Sequence, residues 1–214
     1  MSEGKEWIFD VSVPISDKLV TWPGDPKPLL TVVTRIAEGG SSNLSEIRMG
    51  SHTGTHVDAP MHFLDGAQTV DEVDLCLLIG PARVADFTGR TIIARADVEK
   101  IDLSGVTRLL LKTDNSKLWA DPAFHEVFTH LDPGAAKYIV ERGVKLIGVD
   151  YLSVEKPHTK THPAHHAFLD KGVIIIEGLN LAAVPAGDYE LICLPLKVIG
   201  AEAAPARVIL RTMR

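Results

Sequence analysis

Apolar and polar residues alternate with a period of two through much of the first third of the chain. From about residue 80 the pattern changes to short apolar runs separated by helix-length segments. Trp7 to Ile15 alternates and then meets Ser16-Asp17, which predicts a first strand. Leu29 to Ile36 and Ser45 to Met49 predict two more, separated by the turn residues Glu38-Gly39-Gly40. Pro81 to Phe87, Arg108 to Lys112 and Lys145 to Val149 predict further strands, and Gly134 to Arg142 an amphipathic helix ended by Gly143. A short helix over Ala164 to Lys171, capped by Gly172, leads into the β-branched run Val173-Ile174-Ile175-Ile176, with Glu177 at its end. Glu190 to Val198 and Arg207 to Thr212 close the sheet. Strands joined by a helix predict parallel pairing in this half, so the expected fold is α/β, a single compact domain over residues 1–214 with a mixed β-sheet and flanking helices.

Two stretches fit neither a helix nor an ordinary strand. Trp22-Pro23-Gly24-Asp25-Pro26-Lys27-Pro28 excludes helix and central strand, and it holds Trp22 on irregular backbone, where binding residues often sit. Ser51 to His62 carries three histidines and one aspartate at even positions: His52, His56, Asp58 and His62. In an extended strand all four side chains project to one side, with Gly54 and Pro60 as their only same-side neighbours. A helix is disfavoured there by Gly54, Thr55, Val57 and Pro60. The zincin pattern also fails, because Thr53 stands where that motif needs a glutamate as base.

At 214 residues with 45% hydrophobic and 23% charged side chains, the chain is long enough for a full core and shows no sign of disorder. A net charge of −6 and scattered basic residues argue against nucleic acid as a partner. No segment reaches the length of a membrane span, and Met1 to Asp10 lacks the apolar stretch of a signal peptide, so a cytoplasmic protein is expected. Cys76 and Cys193 lie among apolar residues and are expected to be core thiols rather than a disulfide or metal pair.

Imidazole and carboxylate together suit zinc, and also manganese or iron, whereas calcium would want an oxygen shell. His52, His56 and Asp58 supply three ligands and leave an open position, where a bound water can lose a proton near neutral pH. Glu177 follows an apolar run, where a carboxylate is costly to bury unless paired or coordinated, and strand ends are where α/β sheets gather ligands. His165 or His166 could join it. The residues alone do not choose between those two, and they leave His125, His130, His158 and His162 open as well.

The run His52-Thr-Gly-Thr-His56-Val-Asp58-Ala-Pro-Met-His62 resembles the signature of the cyclase-like metal-dependent hydrolases, a family that includes bacterial arylformamidases and isatin hydrolases. Trp22-Pro23-Gly24-Asp25, Leu111 to Ser116, His165 to Leu179 and Tyr189-Glu190-Leu191 are similar to other parts of the family pattern, so most of the chain is covered. The resemblance implies an α/β domain of the swivelling β/β/α type, assembled as a homodimer or homotetramer. It implies one metal on His52, His56 and Asp58 and a second on Asp58, His165 and Glu177. His165 is preferred over His166 because it precedes Glu177 by twelve residues, as in the family. His62 is implied to be the catalytic acid/base. The metal is left between zinc and manganese.

The chemistry is coherent in its own right. One carboxylate can bridge two ions about 3.5–4 Å apart, a water activated there attacks an amide carbonyl, and His62 protonates the departing nitrogen. Trp22 and Phe63 are the candidates for an apolar slot that takes an aromatic ring. The substrate implied is N-formyl-L-kynurenine, hydrolysed to L-kynurenine and formate, with a cyclic amide such as isatin or another small aromatic carbonyl compound as the alternative. A non-catalytic metal-binding protein is the rival of another class, and it predicts a closed coordination shell with no role for His62.

Overall fold

Residues 7–213 are described by the computed structural model, so the expectation about the N-terminus falls partly, at Met1 to Glu6, outside them. In chain order the strands are β1 Ile8–Asp10, β2 Leu29–Thr34, β3 Leu44–Arg48, β4 His56–Asp58, β5 Ile79–Asp86 and β6 Ile92–Ile93. They continue with β7 Arg108–Lys112, β8 His130–Leu131, β9 Leu146–Val149, β10 Ile174–Glu177, β11 Gly187–Pro195 and β12 Ala203–Thr212. The helices are α1 Leu75–Leu78, α2 Arg95–Val98, α3 Pro133–Glu141 and α4 Pro163–Leu169. None of these helices is long and apolar enough to cross a membrane.

An eight-stranded mixed sheet runs β1-β12-β11-β5-β7-β9-β10-β4, and β4 also pairs with β12, so the sheet closes on itself with β1 at its margin. β5, β7, β9 and β10 are parallel neighbours, as the alternation of strand and helix predicts, and the remaining pairs are antiparallel. Strand alternation then divides the core. Leu110, Ile174, Ile176 and Val57 face a cluster drawn from strands all around the closed sheet. Leu109, Leu111, Ile147 and Ile175 face a second cluster on the helix side, with Ala135 and Ile139 of α3 and Ala164 and Phe168 of α4. Burial on both faces is why these strands read as continuous apolar runs rather than alternating ones.

Several boundaries differ from the sequence expectation. α3 starts at Pro133, because Asp132 accepts the Gly134 N–H at 2.7 Å and so caps the helix one residue earlier. β1 stops at Asp10, whose carboxylate accepts the Ser12 N–H at 3.2 Å and bends the chain. The histidine segment is not one strand: only His56–Asp58 is extended in the sheet, with turns before it and a 3-10 turn, Pro60–His62, after it. Cys193 is buried, but Cys76 is exposed, because the one-turn helix α1 buries Leu78 and leaves the cysteine on its solvent side; both thiols are free. Among the described residues the β2–β3 hairpin pairs only with itself, and every residue in both strands is exposed.

Candidate active site

β4 is buried along its length, and His56 and Asp58, two residues apart, face the helix side of the sheet. Gly54, at φ +66°, turns the chain before the strand, and Pro60 opens the 3-10 turn after it, so His52 and His62 arrive from flanking turns. The four side chains converge nevertheless. His52 Nδ1 lies 3.0 Å and His56 Nε2 3.2 Å from Asp58 Oδ1. The His62 ring centroid lies 4.1 Å from that of His52.

Glu177 ends β10 directly opposite His56 in the antiparallel pair, and its Oε2 lies 3.7 Å from His56 Nε2. The segments can approach only because residue 178 is glycine: a Cβ there would stand 2.1 Å from the Gly54 carbonyl oxygen. α4 adds His165, whose Nε2 is 3.5 Å from Glu177 Oε1. His166, the rival in the sequence, points away to Asp170 at 3.0 Å. His125 faces Asp121 at 3.0 Å and His158 faces Glu126 at 3.7 Å, and neither joins the ligand groups. His130 Nδ1 is occupied by the Phe128 carbonyl at 3.1 Å.

The donor set itself tests whether a metal suits this place. The Gly54 carbonyl, 2.9 Å from His56 Nδ1, can only accept, so Nδ1 carries a proton and Nε2 is the ring nitrogen turned toward Asp58. That Nε2 and both Asp58 carboxylate oxygens are buried without a hydrogen-bond partner among the described residues. Polar atoms that converge in a buried site without hydrogen-bond partners are unfavourable, and a cation among them satisfies them. His165 repeats the arrangement: its Nδ1 donates to Glu155 at 2.7 Å, leaving Nε2 toward Glu177. The ligand atoms of His52, His56 and Asp58 lie within 4.8 Å of one another, as do those of Asp58, His165 and Glu177. Both groups fit a divalent ion, and they share Asp58. Glu155, His162 and His165 form a third group of similar spread, but there Glu155 is already committed to His165 and to the Ala164 N–H at 2.5 Å.

A pocket of about 220 Å³ opens above this centre, with His52, His62, His165 and Glu177 in its lining. Trp22 and Phe63 both line it as well. Trp22 meets Phe124 edge-on at 5.3 Å, and Phe63 stacks on the His165 ring at 4.6 Å, so each is both wall and packing.

A model of the Cyclase family matches residues 9–156. A kynurenine formamidase of Geobacillus thermodenitrificans is 41% identical over 208 residues, covering 97% of this chain and 98% of that protein. This chain belongs to the Cyclase family. A solved structure described as a potential metal-dependent hydrolase with cyclase activity superposes with a TM-score of 0.85 at 36% identity, over 98% of this chain and all of the other (100%). Isatin hydrolase A of Ralstonia solanacearum shares the fold at 20% identity, with a TM-score of 0.85 over 97% of this chain and 92% of its own. The α/β fold with a mixed sheet expected from the sequence is therefore the fold of Cyclase-family structures.

Within this Cyclase-family site the charges are strongly coupled. Burial opposes charging of His52, yet Asp58, with Glu177 and Glu202, raises its pKa to about 9. Burial likewise opposes charging of His165, and Glu155 and Glu177 raise it to about 10. His62 goes the other way: burial, reinforced by His52 and His165 and only partly opposed by Asp58, lowers it to about 4. His62 is thus neutral at pH 7.

The sequence pattern missed two carboxylates. Glu155 anchors His165 and the first turn of α4; its only signal was an acid at the start of the histidine-rich polar loop 153–163. Glu202 accepts from the Ser51 hydroxyl at 2.5 Å and faces His52 Nε2 at 3.4 Å. Set among alanines in the sequence, Glu202 carries no local signal.

Proposed function

We propose that this chain is an arylformamidase, hydrolysing the amide bond of N-formyl-L-kynurenine to give L-kynurenine and formate. One observation carries the reading: two ligand groups share Asp58 beneath a pocket with aromatic walls, and His62 stands beside them in neither group. Membership of the Cyclase family supports the reaction class, and the 41% identical kynurenine formamidase supports the substrate.

In this reading His52, His56 and Asp58 would hold one ion and Asp58, His165 and Glu177 a second; zinc suits the donors and so does manganese. Ions held there supply Lewis acidity toward the amide carbonyl and ease deprotonation of water. The Gly54 carbonyl and Glu155 fix the tautomers of His56 and His165, so that each Nε2 faces the centre. Trp22 and Phe63 orient the aromatic ring and help exclude water. His62, neutral at rest, takes a proton from the attacking water and delivers it to the departing arylamine nitrogen.

The test is turnover of N-formyl-L-kynurenine by purified protein before and after chelation, with zinc or manganese added back. Metal-dependent turnover is expected, with the fold retained after chelation. His62→Ala should keep its metal and lose about 100- to 10,000-fold in rate; a variant isolated metal-free would make His62 a ligand instead. Turnover of isatin but not of the formamide would move the substrate to cyclic amides.

We further take residues 1–214 as one domain, because the two main hydrophobic clusters pack on opposite faces of the same sheet. We also infer a homodimer or homotetramer. Cross-strand partners Leu30 and Ile47, with Val32 on the same face of the exposed β2–β3 hairpin, form an uncovered apolar strip, and a two-stranded ribbon is marginal in water alone. Light scattering tests it.

A further inference from the structure

The ligand centre and the aromatic walls account for the formamide and the ring of the proposed substrate, but not for its amino acid end. The charged groups that line the pocket divide cleanly. Glu177 accepts the Val154 N–H at 2.8 Å and faces the ligand histidines, while Glu155 holds His165. His162 faces Glu155 at 3.3 Å and His158 faces Glu126 at 3.7 Å. Asp25 and Lys156 remain. Both line the pocket, both are exposed, and among the described residues neither has an ion-pair or side-chain hydrogen-bond partner.

Asp25 is held in fixed relation to the pocket wall. Its N–H donates to the Trp22 carbonyl at 3.0 Å, closing a turn whose Gly24 has φ +99°. Lys156 directly follows Glu155, the residue that anchors α4 and His165. One free anion and one free cation therefore border a pocket whose floor is the ligand centre and whose walls are aromatic.

We propose that Asp25 and Lys156 form a subsite for an α-amino acid zwitterion, Asp25 accepting from the ammonium group and Lys156 donating to the carboxylate. This rests on the arylformamidase reading, and it makes the pair the determinants of selectivity for an amino-acid-bearing aromatic amide over an uncharged one. Two opposite charges on one ligand match two opposite charges on the protein, and charge-assisted hydrogen bonds to each are the strong kind.

The test is calorimetric titration of the metal-loaded protein with L-kynurenine and with 2-aminoacetophenone, which keeps the ring, amine and ketone but lacks the amino acid. Wild type, Asp25→Asn and Lys156→Met are compared, and turnover of N-formyl-L-kynurenine is measured in parallel. Wild type should prefer L-kynurenine, and each variant should cut that preference by about tenfold or more, the loss expected for one charge-assisted hydrogen bond. A wild type without preference, or variants that weaken both ligands equally, overturns the subsite. Turnover judges the other claim separately: selective binding of L-kynurenine without hydrolysis of its formyl derivative keeps the subsite and removes the formamidase reading.

Discussion

Asp58 and Asp150 are both completely buried, and the protein surrounds them in opposite ways. Asp150, just after β9, accepts from the Thr113 N–H at 2.9 Å, the Thr113 hydroxyl at 2.6 Å, the Ser116 hydroxyl at 2.7 Å and the Ser116 N–H at 3.3 Å. The Ser116 hydroxyl in turn accepts from the Leu181 N–H at 2.9 Å, so one carboxylate ties together the turn after β7, the end of β9 and the chain beyond β10. Burial still pushes the Asp150 pKa upward. Asp58 accepts no such bond. Burial works against its charge too, but His56 and His52 hold its carboxyl well below the usual range. A carboxylate saturated by N–H and O–H donors is a structural tie, whereas one surrounded by imidazole nitrogens keeps its charge available for a cation.

The largest effects should come from removing each aspartate in turn. Asp150→Ala strands the Thr113 and Ser116 donors and should cost about 3–5 kcal/mol of stability, read by denaturant unfolding of metal-free protein. Asp58→Ala strands no such N–H and O–H donors, though it takes the counter-charge from His52. It should instead abolish metal uptake and lower kcat by at least about a hundredfold, the upper end of what losing even an outer partner of a metal ligand costs. Metal uptake retained by Asp58→Ala, or lost by a folded Asp150→Ala, would break the contrast.

That contrast was only half legible in the sequence. His52, His56, Asp58 and His62 stand out because four such side chains in twelve residues have no ordinary packing explanation. The even spacing marked four residues that the structure brings together, but for a reason only partly correct: strand alternation aims His56 and Asp58, while Gly54 and Pro60 turn the chain to bring His52 and His62 in. The apolar run before Glu177 marked a buried strand end, and the parallel strands followed from β-branched runs separated by helix-length segments. Asp150 was not singled out, because its partners, Thr113 and Ser116, lie more than thirty residues away and meet it only through the β7–β9 pairing. Glu202 is hidden likewise, reaching His52 through the pairing of β12 with β4. Local pattern reports on burial and period; the partners of a buried charge are a tertiary fact.

A smaller effect should come from Glu155, which acts on the centre through His165. In Glu155→Gln the side-chain oxygen can still accept the Ala164 N–H, but the amide group then offers a donor where His165 Nδ1 needs an acceptor. The ring is driven toward the other tautomer, which puts a proton on the nitrogen facing Glu177. Affinity for one of the bound ions should fall about 10- to 100-fold in a chelator-competition titration, with the fold intact. Unchanged affinity would reduce Glu155 to an anchor for α4.

The smallest effect is a count of protons, and it separates the two aspartates most directly. In the metal-free protein His52 titrates at about 9 and His165 at about 10, and each must give up its proton to become a ligand. Below about pH 8 both are charged, so metal loading should release about two protons per chain, falling toward none as pH passes 10. Affinity for metal therefore rises with pH over that window. For the metal-free fold the sign is opposite: the raised values mean that these imidazoles contribute stability that is fully present below the ordinary histidine pKa and is lost as pH rises through about 9 to 10. Titrations at pH 8 in buffers of different ionisation enthalpy count the protons. A release near zero would mean that Asp58 does not face charged imidazoles before metal arrives, and the Asp58 centre would then resemble the Asp150 tie, already neutralised by the fold.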